Sequence, residues 1–420
     1  MKRFTLPLFF ILLNCFAFGQ SASELVEQAN QLLTDGKEYP AAISKFTQAL
    51  QSANLEAGDK VRTEYGLADA KLRESQVQVN KLGGKDVPDI YREYIYDSVD
   101  HLDYARKNIQ DKPGLENSVE IKINSLEKLL TRNIMQLVQE HQKRTGAEKA
   151  RTSKEILRAC TSVQKLNPDN YSAWDYQGQV QLTNLDSAAA LSSLQKAVQL
   201  YETGIMPGPD AYAGYMYYRI ALLQNNFSKD LKAAQLTLQN GLKVIAADRE
   251  KVTSNVEMKQ IRKDMILPNL DAVESKIDLF LVDLLIRNGA ESEEQKLLIQ
   301  ETVAKYPDNV NLMFQYAKMV SEDDPETAVK VYDMIISKEP TNSAALYNAG
   351  VLHFNLAARI GAAEDMNRFK EKAIQDKMHT ALEYFMRAEQ MGQKAAIGPI
   401  LQIAQQYGDE ALYQKYAARQ

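Results

Sequence analysis

Cysteine is almost absent from this chain of 420 residues: there are two, Cys15 and Cys160. Cys15 falls in an N-terminal leader, which leaves Cys160 without a partner. No internal disulfide is available, so stability must come from packing. Cys160 shares a helical spacing with Ile156, Leu157 and Val163, which reads as a small core residue rather than a reactive thiol. Glycine and proline are sparse, at 19 and 12. That disfavours many short strands joined by turns and suits long helices. No sustained period-two run argues for a sheet.

Catalytic and ligand-binding motifs are equally scarce. The four histidines, His101, His141, His353 and His379, have no second His or Cys at metal-ligand spacing. His353 and His379 would face each other across one helix pair, with Glu383 as a third ligand, but packing or surface roles are the simpler reading. There is no phosphate loop, no G-x-G-x-x-G and no G-x-S-x-G elbow; Gly83-Gly84-Lys85-Asp86 reads as a turn. The carboxylate pairs Asp323-Asp324 and Glu293-Glu294 sit at turns or helix starts, where the helix dipole favours them. No cofactor and no metal is implied, and the chain is expected not to be an enzyme. There is no block of Lys and Arg, and the net charge is −5. Counterion release, the main drive for nucleic-acid binding, is therefore missing, and no nucleic-acid partner is expected.

What is present begins with a leader. Lys2 and Arg3 precede an apolar run, Leu6 to Leu13, too short to span a bilayer. Ala17 and Gly19 take the −3 and −1 positions of a cleavage site before Gln20. Residues 1–19 are expected to be a signal peptide, and the mature chain is expected to be exported without a membrane span. Cys15 offers a rival route, lipid anchoring, but Asn14 stands where a small residue is expected before a lipid-bearing cysteine. The Phe18-Gly19-Gln20 ending resembles leaders of exported Bacteroidetes proteins, and the resemblance implies a periplasmic address.

Downstream, small and large residues return with a period near 34. From Tyr171, Trp174 and Gly178 stand at places four and eight; Ala190, Leu194 and Ala197 stand at places twenty, twenty-four and twenty-seven. Asn167-Pro168-Asp169-Asn170 precedes as a turn. From Val310 the series is Ala317, Ala328, Tyr332 and Ile335, closed by Pro340. From Ser343 it is Leu346 and Gly350, then Ala381, Phe385 and Ala388 after extra residues. Looser copies run from Ala29, Leu32 and Gly36 to Ala42, Phe46 and Ala49, and from Ala211 to Ala234, Leu238 and Gly241. A degenerate copy spans 276–307. Small residues let two antiparallel helices approach, and large ones fill the space between them.

The pattern resembles the tetratricopeptide repeat (TPR). The expected fold is all-α, a right-handed α-solenoid of antiparallel helix hairpins. Residues 20–80 are expected to be N-terminal TPR-like helices. Residues 88–165 are read as diverged hairpins, with breaks at 81–88 and 111–114. Residues 166–420 form the array, with a helical insertion near 358–377 and a C-terminal capping hairpin turning at Gly408-Asp409.

The resemblance implies a partner-binding groove on the first helix of each hairpin, at places two, five, nine, twelve and thirteen. It names Ser172, Asp175, Gln179, Leu182 and Thr183; Asn311, Phe314, Lys318, Ser321 and Glu322; and Ala344, Tyr347, Val351, Phe354 and Asn355. A TPR subset clamps a partner's terminal carboxylate with Lys and Asn. Asp175 and Gln179 depart from that clamp, so that ligand is not expected. The function implied is a non-catalytic scaffold binding other envelope proteins. The rivals are glycan or cell-wall-fragment binding, through tyrosines 212, 215, 217 and 218 or 91, 94, 96 and 104, and an envelope enzyme with a site within 61–165 or the insertion.

Overall fold

The computed structural model describes residues 20–83, 87–203, 212–290, 292–362, 365 and 367–419. The expected leader, with Cys15, lies outside the described residues. Every regular element among the described residues is helical. Contacts divide the chain into two units, 1–208 and 209–420.

The first unit holds α1 (Ala22–Gln31), α2 (Tyr39–Leu50), α3 (Ala57–Lys81), α4 (Val87–Ile90), α5 (Tyr96–Lys107), α6 (Glu116–Lys143), α7 (Gly146–Leu166), α8 (Tyr171–Thr183) and α9 (Ser187–Glu202). Helix α1 pairs with α2, α3 with α5, α6 with α7 and α8 with α9, and the second helix of each pair packs on the first helix of the next. The second unit repeats the scheme. It contains α10 (Tyr212–Leu223), α11 (Leu231–Ser254), α12 (Gln260–Asn288), α13 (Glu293–Lys305), α14 (Val310–Val320), α15 (Pro325–Lys338), α16 (Ser343–Gly361), α17 (Arg368–Gln390), α18 (Ile397–Tyr407) and α19 (Glu410–Ala417), paired in order. First helices also touch first helices, α10 on α12 and α12 on α14. Each unit is thus a solenoid of stacked hairpins, as a chain of helices each apolar on one stripe requires.

The units divide at 208/209, and the boundary expected at 165/166 lies within the first unit. The Pro168 turn is an ordinary joint between stacked hairpins, with α7 packed on α8. The break at 81–88 likewise falls inside the α3–α5 hairpin rather than between domains. The stretch 358–377 lengthens both α16 and α17.

The small-and-large pattern is the core. Ala190, Leu194, Ala197, Ala317, Ala328, Tyr332, Ile335, Ala381, Phe385 and Ala388 are all buried. A methyl group built on Gly178 would stand 2.6 Å from Leu194 Cγ, and one on Gly350 would stand 2.9 Å from the Phe385 ring. Two positions behave otherwise. Gly36 is exposed in the α1–α2 turn; the glycine that makes room for Phe46 is Gly66 on α3, at 2.5 Å. Trp174 is half-buried rather than core, because its indole N–H donates to the Pro168 carbonyl at 3.1 Å.

Several hairpins share a capping chemistry. Three first helices, α8, α14 and α16, start at asparagine: the side-chain oxygens of Asn170, Asn309 and Asn342 accept from Ala173, Leu312 and Ala345 N–H. Four second helices, α9, α11, α15 and α19, start at aspartate: Asp186, Asp230, Asp324 and Asp409 accept from Ala189, Ala233, Thr327 and Leu412. Each cap satisfies an N–H that the helix cannot, worth about 1 kcal/mol. Turns between paired helices often pass through the left-handed region, at Lys37, Leu185, Lys229 and Gly408.

Gly178→Ala should therefore destabilise the protein by about 1–3 kcal/mol through overpacking. Gly398→Ala, which meets nothing within 4 Å, should change stability by no more than about 0.5 kcal/mol. Urea denaturation midpoints compare the two directly.

Candidate partner-binding surface

The nine principal groove positions lie on three first helices. Asp175, Gln179 and Thr183 belong to α8 in the first unit; the other six belong to α14 and α16 in the second. On α8, Asp175 is only 3% exposed. Its carboxylate accepts from the Gln179 amide at 2.7 Å, so these two polar groups engage each other. Asp175 also lies close enough to Cys160 to act on it: burial first, then this carboxylate, pushes the thiol well above its ordinary value. Thr183 is exposed and its hydroxyl donates to the Gln179 carbonyl at 2.9 Å; Ser172 and Leu182 are half-buried.

The second unit offers more open surface. Phe314 stands edge-on to Tyr332 of its paired helix, with centroids 5.5 Å apart, and Tyr347 leans on Phe385 at 5.7 Å. Val351 and Phe354 line the edge of the same core. Tyr347, Val351 and Phe354 are spaced i, i+4 and i+7 and share one face of α16. All four are half-buried, with one side anchored in the core and the other accessible, while Lys318 and Asn355 are exposed. Asn311 and Glu322 are exposed, and Ser321 and Ala344 half-buried.

Other sequence candidates take structural places. Cys160 is fully buried. His353 is half-buried beside the Tyr384 ring at 5.8 Å, and burial followed by Lys377 pulls it below its usual pKa. His379 is exposed and 3.6 Å from Glu383. No group of three or more His, Cys, Asp or Glu among the described residues could hold a metal ion. The described tyrosine side chains of both clusters are buried or half-buried; Tyr218 packs on Phe280 and Tyr91 on Tyr96. Asp324 and the Glu293-Glu294 pair stand at helix starts. No described helix is long and apolar enough to cross a membrane.

Sequence reasoning missed the charge networks that join hairpins. In the first unit His101 lies between Glu64 of α3, at 2.5 Å, and Asp97 of its own helix, at 3.1 Å; Asp97 also pairs with Lys71. Asp69 holds Arg73 and Lys122, while the buried Asp103 meets Arg106, Lys107 and Lys165. In the second unit Arg249 reaches Asp271 at 2.5 Å and Glu274, and Lys305 bridges Glu274 and Asp278 at 2.5 and 2.7 Å. Glu64, Asp69, Asp103 and Asp278 are buried, where a helical stripe would place apolar residues. That substitution is the signal that marks them.

No family model matches the chain, and no curated protein matches it by sequence. Among solved structures it is similar to YrrB, described as a TPR protein with an unusual peptide-binding site: 15% identity, 56% of this chain, 93% of that one, TM-score 0.35. It is also similar to the TPR domain of P58(IPK), at 14% identity, 87% and 99% coverage and TM-score 0.22. The TPR2AB domain of yeast Sti1, solved in a complex with pHSP90, matches at 13% identity, 68% and 99% coverage and TM-score 0.23. At these values the matches say nothing about ligands, and the fold assignment stands on the hairpin packing itself.

The His101 network makes stability depend on pH. Burial lowers the His101 pKa, but hydrogen bonds to Asp97 and Glu64 and their charges outweigh it, raising the pKa from 6.5 to about 9. The resulting stabilisation is complete below pH 6.5 and is lost as pH rises through about 9. Asp97 is held well below its ordinary 3.8 by the His101 hydrogen bond, against burial, and with Lys71 assisting; its contribution is present above 3.8 and fades in stronger acid. Melting temperatures of the wild type should fall between pH 6.5 and about 9. His101→Gln should remove that part of the fall, and parallel curves for both proteins would refute the assignment.

Proposed function

We propose that this chain is a non-catalytic protein-interaction scaffold of a bacterial cell envelope, taking a partner peptide or helix in the concave groove lined by its first helices. The observation that carries the reading is the α16 face. Tyr347, Val351 and Phe354 are anchored on the core yet half-accessible, beside the exposed Asn355. Such a face is ordered before binding, so a partner recovers apolar burial without the entropy cost of immobilising these side chains. The envelope address rests on the leader read in residues 1–19, with the periplasm as destination and a lipid at Cys15 as the alternative. The tyrosine clusters, whose described rings are engaged in packing, give a glycan reading no comparable face.

A photo-crosslinking amino acid at the exposed Asn355 should capture a discrete protein from the envelope fraction, whereas the same group at the exposed Met334 on α15 should not. No adduct at Asn355, or equal adducts at both positions, would sink the scaffold reading. The purified mature protein should begin at Gln20 by mass spectrometry; an N-terminus at Met1 would refute export, and an acylated cysteine would shift the address to a membrane anchor.

A further inference from the structure

A second concavity lies away from the α8, α14 and α16 faces, at the C-terminal end of the second unit. Helix α17 has 23 residues, but the terminal hairpin packed on it has helices of only 11 and 8. The long helix overhangs the short pair. Where the α18–α19 turn meets its flank, a cleft of about 450 Å³ remains. The floor is finished core, with Met378 and Ile403 at 5% and 2% exposure. Leu382 and Leu412 form half-buried walls, and Tyr407, 48% exposed, stands at the lip.

The polar rim has one sign of charge. Asp376 and Asp409 both line the cleft, and no Lys or Arg does. The Asp376 carboxylate has no partner among the described residues. One oxygen of Asp409 caps α19 through the Leu412 N–H at 2.9 Å. His379, also on the rim, is 3.6 Å from Glu383, a further carboxylate. An apolar slot with two carboxylates on its rim attracts an apolar side chain carried next to a cation. Its volume is at the small end for ligand sites, enough for one or two side chains. An anionic lipid surface is the wrong sign, and being planar it does not enter a concavity.

We propose that this cleft binds a peptide segment presenting a Leu- or Phe-sized side chain next to Lys or Arg. The apolar group sits over Met378 and Ile403, and the cation faces Asp376 and Asp409. The site is independent of the α8, α14 and α16 faces, being built from α17 and the terminal hairpin.

The test uses the mature full-length chain labelled with methyl-¹³C methionine and the blocked tetrapeptide acetyl-Lys-Leu-Leu-Lys-amide. Titration should move the Met378 methyl resonance, assigned by Met378→Leu, and leave that of the exposed Met334 in place. The Asp376→Asn, Asp409→Asn double variant keeps the α19 cap, since asparagine caps as well as aspartate. Its methionine spectrum should match the wild type, and its affinity for the peptide should fall at least about fivefold, the order expected from losing two charge-assisted contacts. The charge-reversed peptide acetyl-Glu-Leu-Leu-Glu-amide should leave Met378 unmoved. Equal binding of the acidic peptide, unchanged affinity in the double variant, or no Met378 shift with the cationic peptide would each overturn the proposal.

Discussion

The structure depends on how closely two helices can approach where one of them has almost no side chain. At Gly178 and Gly350 the backbone of a first helix lies against Leu194 and Phe385 of its partner, with no room for a methyl group. That approach sets the depth to which the second helix settles, and so which of its residues reach the next hairpin. Ala190, Ala197, Ala328 and Ala388 do the same work from the other side. Because the second helix of each pair packs on the first helix of the next, the spacing within one hairpin propagates to its neighbour. No disulfide and no bound metal is needed to hold such a stack.

The first unit shows what happens when the steric device is diluted. Between α3 and α5, and on to α6 and α7, contact is made partly by Glu64, Asp69, Asp97, His101 and Asp103 with their basic partners. Ion pairs built on buried carboxylates add little net stability, because desolvation offsets their attraction, and removing one partner strands the other. They also tie one hairpin to the next: Asp69 takes Lys122 from α6, and Asp103 takes Lys165 from α7.

This substitution explains what was legible in the sequence and what was not. Apart from Trp174, the buried places of the copies beginning at Tyr171, Val310 and Ser343 could be read to the residue because steric demand leaves few choices at each place. Gly36 misled because a turn glycine and a packing glycine look alike in one dimension. The spacer for Phe46 is Gly66, which belongs to the following hairpin and lies outside the repeat window that contains Phe46. Residues 61–165 carried no repeat signal because charge complementarity can be met by many pairings, none with a fixed period. The asparagine and aspartate caps were legible in principle, since Pro168, Pro307 and Pro340 each stand two residues before an asparagine that starts a first helix.

The candidate groove was least legible, for a reason in the same packing. Place numbers transfer a residue's direction from the helix axis, and direction is shared by every hairpin. Whether that direction leads to solvent depends on what the neighbouring helix contributes there. Place five of the α8 copy is Asp175, closed over by its own Gln179 and set against the core near Cys160. Place five of the α14 copy is Phe314 and of the α16 copy Tyr347, each only half covered by an aromatic ring of its paired helix. The same place is therefore core in one hairpin and available surface in the next. Unequal helix lengths add a further layer, because α17 outreaching α18 and α19 opens a cleft that no within-repeat position encodes. A solenoid's periodicity thus reports its interior. Its recognition surfaces arise where neighbouring repeats differ.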